Sequence, residues 1–305
     1  MGSFVSTAKF FQLPFKSQFR WDAFPLTASD EEIIQNLAAA DLNRIQAVNV
    51  PTDEEIFILN EIFKINPSIA FRHYSLGFSE VDVSYLSKLT NVKSLGLEHH
   101  SPIKNIETLE ELELDNLTLS CFSVKDYSFL RNVSSKLKGL WLDLEDKTYK
   151  MDIGDIIHMT ELETLVIRNV KRGLDKLTEF KNLKELSLRS VPIKDYSFLK
   201  EMNVKKICLA LQNITYFNTF GICESIEEVS LWMNKKLTDI SFLLQFPNLK
   251  RIYITYQNNI ETVPDLTGLT KLEDVYFFEN APELIKKHCN PNVNVHTFYN
   301  PSDVN

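Results

Sequence analysis

The side chains in this sequence able to hold a metal ion, carry a proton or act as a nucleophile are few and dispersed. Histidines stand at His73, His99, His100, His158, His288 and His296, and cysteines at Cys121, Cys208, Cys223 and Cys289. A zinc site needs ligands brought to one point by short spacings, such as H-E-x-x-H on a helix or paired C-x-x-C runs. Neither spacing occurs, so no metal site and no cofactor is expected. His99 and His100 adjoin Glu98, and their expected place is a solvated turn at the end of a strand. Glu111 and Glu113 are two apart and would share one face of a strand. That is an arrangement open to acid–base work on a glycosidic bond, but no pocket signature accompanies the pair. There is no G-x-S-x-G elbow and no phosphate loop. The expected class is therefore non-catalytic, with a cryptic hydrolase as the third reading.

Bulk properties narrow the partners. The chain has 305 residues, 44% of them hydrophobic, enough to bury a sizeable core. Its formal net charge is −8, whereas nucleic-acid binding draws on a basic face that releases phosphate counterions. A nucleic-acid partner is not expected. The 8 glycines are few, which argues against folds built on glycine-rich phosphate turns. The cysteines read as buried thiols rather than a disulfide framework, which fits a reducing compartment. The first residues lack the apolar core of an export signal, and no run is long enough to span a membrane. A cytoplasmic location is the expectation, or a secreted one if a signal has been removed.

What positions any functional side chain is a repeat. The pattern apolar-x-x-apolar-x-apolar is clearest from Leu162, Leu183, Leu249 and Leu272. Weaker copies start at Val92, Leu109, Leu137, Val204 and Ile226, and degenerate ones at Ile45, Phe71 and Val293. From Leu137 the steps between starts are 25, 21, 21, 22, 23, 23 and 21 residues. Those steps fall within the ~20–29-residue window of leucine-rich repeats. The last two apolar places of each copy are two apart, so both point to one side of a short strand. One copy cannot bury them alone, and stacking copies makes a parallel sheet over a shared core. Each buried Leu or Ile contributes roughly 1.5–3 kcal/mol before entropy is subtracted.

A second phrase marks the return side of the coil. Lys125-Asp-Tyr-Ser-Phe-Leu130 recurs unchanged as Lys194-Asp-Tyr-Ser-Phe-Leu199, with Thr238-Asp-Ile-Ser-Phe-Leu243 as a variant. Because every copy has the same phase, it reads as a short helical or 3₁₀ turn whose Phe and Leu pack under the sheet. The combined unit I-x-D-x-S-F-L followed by N-L-x-x-L-x-L resembles the bacterial internalin-like leucine-rich repeats, over roughly residues 45–300. The resemblance implies an α/β leucine-rich-repeat solenoid, curved, with a parallel sheet on the concave face and short helices or 3₁₀ turns on the convex side. It also implies a protein partner. The asparagine usual after the strand is replaced at several copies, for example by Val170 and Val191.

The ends should be capped, since terminal repeats otherwise expose their core. Ser29-x-x-Glu32 and Thr52-x-x-Glu55 each match a capping box ahead of an apolar run, so both predict short helices. The aromatic stretch Phe10 to Phe24 packs over the first strand or forms a partner-binding arm. Pro282 to His288 reads as a last short helix. The expected organisation is an N-terminal capping segment over residues 1–44 and a repeat domain with its C-terminal cap over 45–305.

Function should then sit at the third, fifth and seventh places of each copy, which face away from the core. Toward the N-terminus these are Glu98, Glu111, Glu113, Asp115 and Asp143, an acidic stretch, with Trp141 at its end. The middle offers Arg168, Arg189 and Lys206. The C-terminal part offers Trp232, Arg251, Tyr253, Tyr276, Phe278 and Tyr299. Trp, Tyr and Arg are the side chains that most often anchor interfaces. The expected function is a protein-interaction module gripping its partner on the concave strands. An intracellular scaffold or toxin-neutralising immunity protein is one form of it, and a secreted or surface adhesion module is the alternative. The oligomeric state stays open.

Overall fold

The structure, a computed structural model, describes residues 9–18, 23–145, 149–217, 219–257, 259–278 and 285–297, and every count or absence below refers to them. The chain divides into two compact units, Thr7–Glu161 and Leu162–Asn305. Each unit is a coil of α/β leucine-rich repeats with a parallel sheet.

In the N-terminal unit the strands are β1 (Phe10–Gln12), β2 (Arg44–Ala47), β3 (Ala70–Ser75), β4 (Ser94–His99), β5 (Asn116–Cys121) and β6 (Gly139–Asp143). Successive strands pair in parallel, and one row of the core runs Phe11, Ile45, Phe71, Leu95, Leu117, Leu140. The aromatic stretch near the N-terminus therefore begins as a strand. Phe11, Leu13 and Phe15 are buried, with the Phe11 and Phe15 rings stacked 5.7 Å apart.

Two helices follow β1 and β2. The first, α1 (Asp30–Ala39), has Ser29 as N-cap, its hydroxyl accepting from the Glu32 backbone N–H at 3.2 Å. The second, α2 (Asp53–Ile65), carries the full reciprocal box, with Thr52 N–H donating to the Glu55 carboxylate at 2.8 Å. Ile33, Ile34 and Leu37 of one helix and Ile58, Leu59 and Ile62 of the other supply their buried faces.

The C-terminal unit carries β7 (Thr164–Arg168), β8 (Glu185–Arg189), β9 (Lys206–Ala210), β10 (Glu228–Trp232), β11 (Arg251–Thr255), β12 (Asp274–Phe278) and β13 (Asn294–Thr297). They pair in unbroken register, so Leu165, Leu186, Ile207, Val229, Ile252, Val275 and Val295 form one inward row. Of the helix expected over Pro282 to His288, residues 282–284 lie outside the described residues, and Ile285 is buried.

The strand register corrects four phases read from the pattern. Ile45 and Phe71 align with Leu95, so they hold the fourth place of their copies, not the first. The sixth places there are Ala47 and His73, which is why those copies looked degenerate. Leu109 belongs to a 3₁₀ turn (Ile106–Glu111), and the true copy starts at Leu114, with Leu117 and Leu119 pointing inward. At the C-terminal end Val295 rather than His296 lies inward, a slip of one residue. A one-residue slip exchanges the two faces of a strand.

The return phrase forms 3₁₀ turns at Ser128–Asn132, Ser197–Glu201 and Ser241–Gln245. Its aspartate caps the turn: Asp126, Asp195 and Asp239 accept from the N–H of Ser128, Ser197 and Ser241 at 3.0, 2.9 and 2.7 Å. Those N–H groups hold the Asp126 and Asp195 carboxyls below the ordinary range. Leu130, Leu199 and Leu243 are fully buried as expected, but Phe129 and Phe198 are only half-buried. In a 3₁₀ turn residues three apart share a side. The partners of the leucines in the core are thus Tyr127, Tyr196 and Ile240; Phe129 and Phe198 stand to one flank, whereas Phe242 is buried as expected.

Each strand of the C-terminal unit from β7 to β11 ends in the same way. Asn169, Ser190, Leu211, Met233 and Tyr256 follow directly, all with φ between 50° and 59°. Left-handed backbone costs a non-glycine residue roughly 1–2 kcal/mol. The turn offsets this by a hydrogen bond to the next rung, for example Leu211 N–H to Trp232 C=O at 3.0 Å and Met233 N–H to Thr255 C=O at 3.1 Å. Two residues past the strand Asn234 keeps the usual asparagine, and the buried Gln212 and Gln257 stand in its place on their rungs. Asn234 accepts from Gln212 N–H at 2.8 Å and donates to Leu209 C=O at 2.8 Å. At Val170 and Val191 the same place is simply apolar and buried.

Candidate functional site

The outward side of the C-terminal sheet is organised in three rows running across the strands. The first row alternates in charge: Glu185, Lys206, Glu228, Arg251, Asp274. Lys206 meets Glu185 at 2.7 Å and Arg251 meets Glu228 at 3.0 Å. His296 Nε2 lies 2.8 Å from Asp274 Oδ1 and holds that carboxyl below its ordinary range. The Glu185 carboxylate raises Lys206, and the Glu228 carboxylate raises Arg251. Just before the strands a second ladder runs alongside, with Glu163–Lys184 at 2.7 Å and Glu227 between Lys205 and Lys250 at 3.4 and 2.7 Å.

The middle row changes character along its length. Ser187, Cys208 and Ser230 are small and buried, and then come Tyr253, Tyr276 and His296. The Tyr253 and Tyr276 rings stack at 4.6 Å and 4°, and Tyr276 and His296 at 4.5 Å and 11°. The strand spacing of about 4.8 Å sets that separation, so the sheet itself orders the stack. Burial beside its neighbours pushes the Tyr253 hydroxyl up to about 12.

The third row holds Arg168, Arg189, Ala210, Trp232 and Thr255, the last residue of each strand. Arg189 donates from Nε to Ser187 Oγ at 3.2 Å, and its guanidinium lies 6.0 Å from the Trp232 ring. Thus Arg168, Arg189, Trp232, Arg251, Tyr253 and Tyr276 stand on one outward face of one unit. The backbone of Phe278 continues β12, and Tyr299 lies outside the described residues.

The N-terminal unit presents a different surface from the acidic one expected. Glu98 is outward on β4 but is held by Arg72, whose Nε donates to it at 2.8 Å and whose Nη2 also pairs with it. Arg72 stacks on Tyr74 at 4.6 Å. Neither Arg72 nor Tyr74 was anticipated, because the copy at Phe71 was read out of phase. Trp141 and Asp143 are outward on β6. Glu111 closes a 3₁₀ turn, while Glu113 and Asp115 lie in the segment before β5. None of these three is on a strand, and the acid pair loses its common face. Glu113 meets Lys136 at 3.3 Å and Asp115 meets Lys138 at 3.7 Å.

Of the two histidines beside Glu98, His100 is exposed as expected and His99 is not. His99 is not in a solvated turn: it is the last residue of β4, fully buried, as is His73 on β3. Their rings meet edge-to-face at 4.6 Å, and the Tyr85 hydroxyl lies 2.7 Å from His73 Nδ1. The signal available was the alternation Phe71, His73 and Leu95, Leu97, His99, which puts both rings on the inward side. His100, next along, stacks on Phe122 at 4.0 Å. All four cysteines are free and buried.

No protein family and no curated protein matches the chain. Among solved structures it is similar to an internalin (inlF) from Listeria monocytogenes str. 4b F2365, at 16% identity over 90% of each chain and a TM-score of 0.44. It is also similar to the functional domain of InlJ from Listeria monocytogenes, at 14% identity and a TM-score of 0.35. The latter match covers 84% of this chain and 64% of that one. Both relatives are leucine-rich-repeat proteins. No helix among the described residues is long and apolar enough to cross a membrane.

Proposed function

We propose that this protein is a binding module that takes a protein partner on the outward strand face of its C-terminal unit. The observation that carries the reading is the ordered aromatic row Tyr253–Tyr276–His296 beside Trp232 and Arg189. Tyr, Trp and Arg dominate interface energetics, and rings already held in a stack lose little further freedom on binding. The flanking carboxylates and amines are paired with one another, so a partner need not strip bare charges of water there. In its finer form the module is an intracellular scaffold or a toxin-neutralising immunity protein, a version supported by the net charge of −8 and by four free cysteines buried in the core.

The test is capture of a protein by immobilised wild type against a Trp232→Ala, Tyr253→Ala, Tyr276→Ala variant whose fold is checked by circular dichroism. The captured protein is then purified and titrated against both. Binding lost with the variant supports the reading; binding retained at wild-type affinity overturns it.

A further inference from the structure

The two edges of the C-terminal sheet treat charge in opposite ways. At the leading edge, where the chain enters each strand, Glu163, Lys184, Lys205, Glu227 and Lys250 form a ladder whose members neutralise one another. At the trailing edge, beyond the left-handed residues, the cations are Lys171, Arg172, Lys235 and Lys236, with Arg189 ending its strand beside them and Lys194 opening the return phrase after β8. Arg172, Arg189, Lys194, Lys235 and Lys236 form no ion pair among the described residues; Arg189 reaches only Ser187 Oγ and the Trp232 ring. Arg172, Lys194, Lys235 and Lys236 are exposed. The nearby carboxylates are Asp175, Asp195 and Asp239 in the return turns, where Asp195 and Asp239 are engaged by the N–H groups of Ser197 and Ser241. From β7 to β10 there are three strand spacings, so the cations span about 15 Å.

Those five cations stand without carboxylate partners, whereas those of the leading edge are paired. They repel one another unless something anionic lies along them. We infer that the trailing edge of the C-terminal unit receives an acidic segment of a protein partner, running across the turns after β7, β8 and β10 with Trp232 beside Arg189 as its apolar contact. The inference rests on the binding reading above and names the chemistry of its partner. A nucleic acid fits less well. Its phosphates carry dense charge over a path far longer than this row, whereas a short acidic stretch matches the row's length.

The experiment uses the full chain and a fluorescein-labelled peptide of glutamates interspersed with tyrosines, titrated by anisotropy at several salt concentrations. Three proteins are compared: wild type, an Arg189→Gln, Lys235→Gln, Lys236→Gln variant, and a control with Lys93→Gln and Lys136→Gln in the N-terminal unit. The expected result is wild-type binding that weakens steeply with salt, a loss of about tenfold or more in the first variant, and no change in the control. No binding by wild type, equal binding by the first variant, or an equal loss in the control overturns the inference. A labelled oligothymidylate bound more tightly than the peptide, and lost in the same variant, overturns it in favour of a nucleic acid. The captured protein separates the two readings. If it is lost with the aromatic triple variant but binds the charge variant unchanged, the acidic-segment inference fails and the binding function stands.

Discussion

The imidazole of His99 meets that of His73 edge-on at 4.6 Å inside the core of the N-terminal unit, with no solvent reaching either ring. Around the pair stand Tyr85 from the return turn, Ser75 on β3 and Cys121 on β5, and Glu98 on the outward side of β4. Burial keeps the Tyr85 phenol protonated, and its hydroxyl shares a hydrogen bond of 2.7 Å with His73 Nδ1. His73 Nε2 and both nitrogens of His99 have no hydrogen-bond partner. The site accepts two neutral rings and disfavours a charged one.

That arrangement predicts acid lability. Burial, then the neighbouring ring, lowers His73 to about 3; burial lowers His99 to about 4, opposed by Glu98. Both folded values lie below the ordinary 6.5, so the unfolded chain binds protons first as pH falls. The stability is fully present above about pH 6.5 and is lost on acidification until the folded values are reached. Each histidine contributes a slope of about 1.4 kcal/mol per pH unit, so by pH 5 the two together forfeit about 4 kcal/mol. Urea unfolding at stepped pH should show this slope in wild type and a much flatter one in a His73→Leu, His99→Leu variant. Equal slopes would mean the pair does not titrate on unfolding.

Gly139 and Trp141 give a second prediction. A Cβ on Gly139 would lie 2.4 Å from Asn116 Oδ1 and 2.6 Å from the Trp141 ring. Gly139 opens β6, and the space above it is taken by the indole two residues on. Gly139→Ala must therefore push the ring aside, at a cost of about 1–3 kcal/mol. A shift in tryptophan emission accompanying a lowered unfolding midpoint is expected; an unchanged spectrum would show that the indole does not rest there.

Asn234 supports a third. Its amide satisfies Leu209 C=O and Gln212 N–H, both 2.8 Å away, at 1% exposure. Asn234→Ala leaves both backbone groups buried without a partner, each costing about 1–3 kcal/mol. Val170→Asn, at the same place where the chain already does without an amide, should bring no comparable gain. Hydrogen exchange at the Gln212 amide reads the effect directly, and protection unaltered in Asn234→Ala would contradict it.

How far these features could be read from residue order alone follows from what fills each inward place. From Leu162 to Phe277 every copy carries Leu, Ile, Val or Phe at its inner positions, and the register of β7 to β12 agrees residue by residue with the pattern. At the N-terminal end the inner places hold Ala47 and His73, which no apolar template scores. Between Leu109 and Leu119 two copies of the same template overlap, because a 3₁₀ turn and a strand entry both space leucines by three and two. The period was the discriminating signal: Val92, Leu114, Leu137 are 22 and 23 apart, whereas Leu109 would give 17 and 28. The error moved Glu111, Glu113 and Asp115 onto a strand they do not occupy. The charge ladders were out of reach for another reason, since they join residues 20 to 25 positions apart that only the strand register brings together.

The aromatic row itself yields the last prediction. Tyr253 and Tyr276 stack at 4.6 Å, and a pair of this kind is worth about 0.5–1.5 kcal/mol beyond its burial. If the row only held strands together, Tyr276→Leu would lower stability by that amount and leave partner affinity untouched, since leucine still covers the sheet. If the rings form the contact, the same substitution weakens partner binding by far more than it weakens the fold, because an aromatic anchor at an interface is worth about 2 kcal/mol or more. Measuring unfolding and partner titration on the one variant therefore decides what the row is for. We expect the binding loss to exceed the stability loss, and a stability loss alone would reduce the stack to a feature of the sheet.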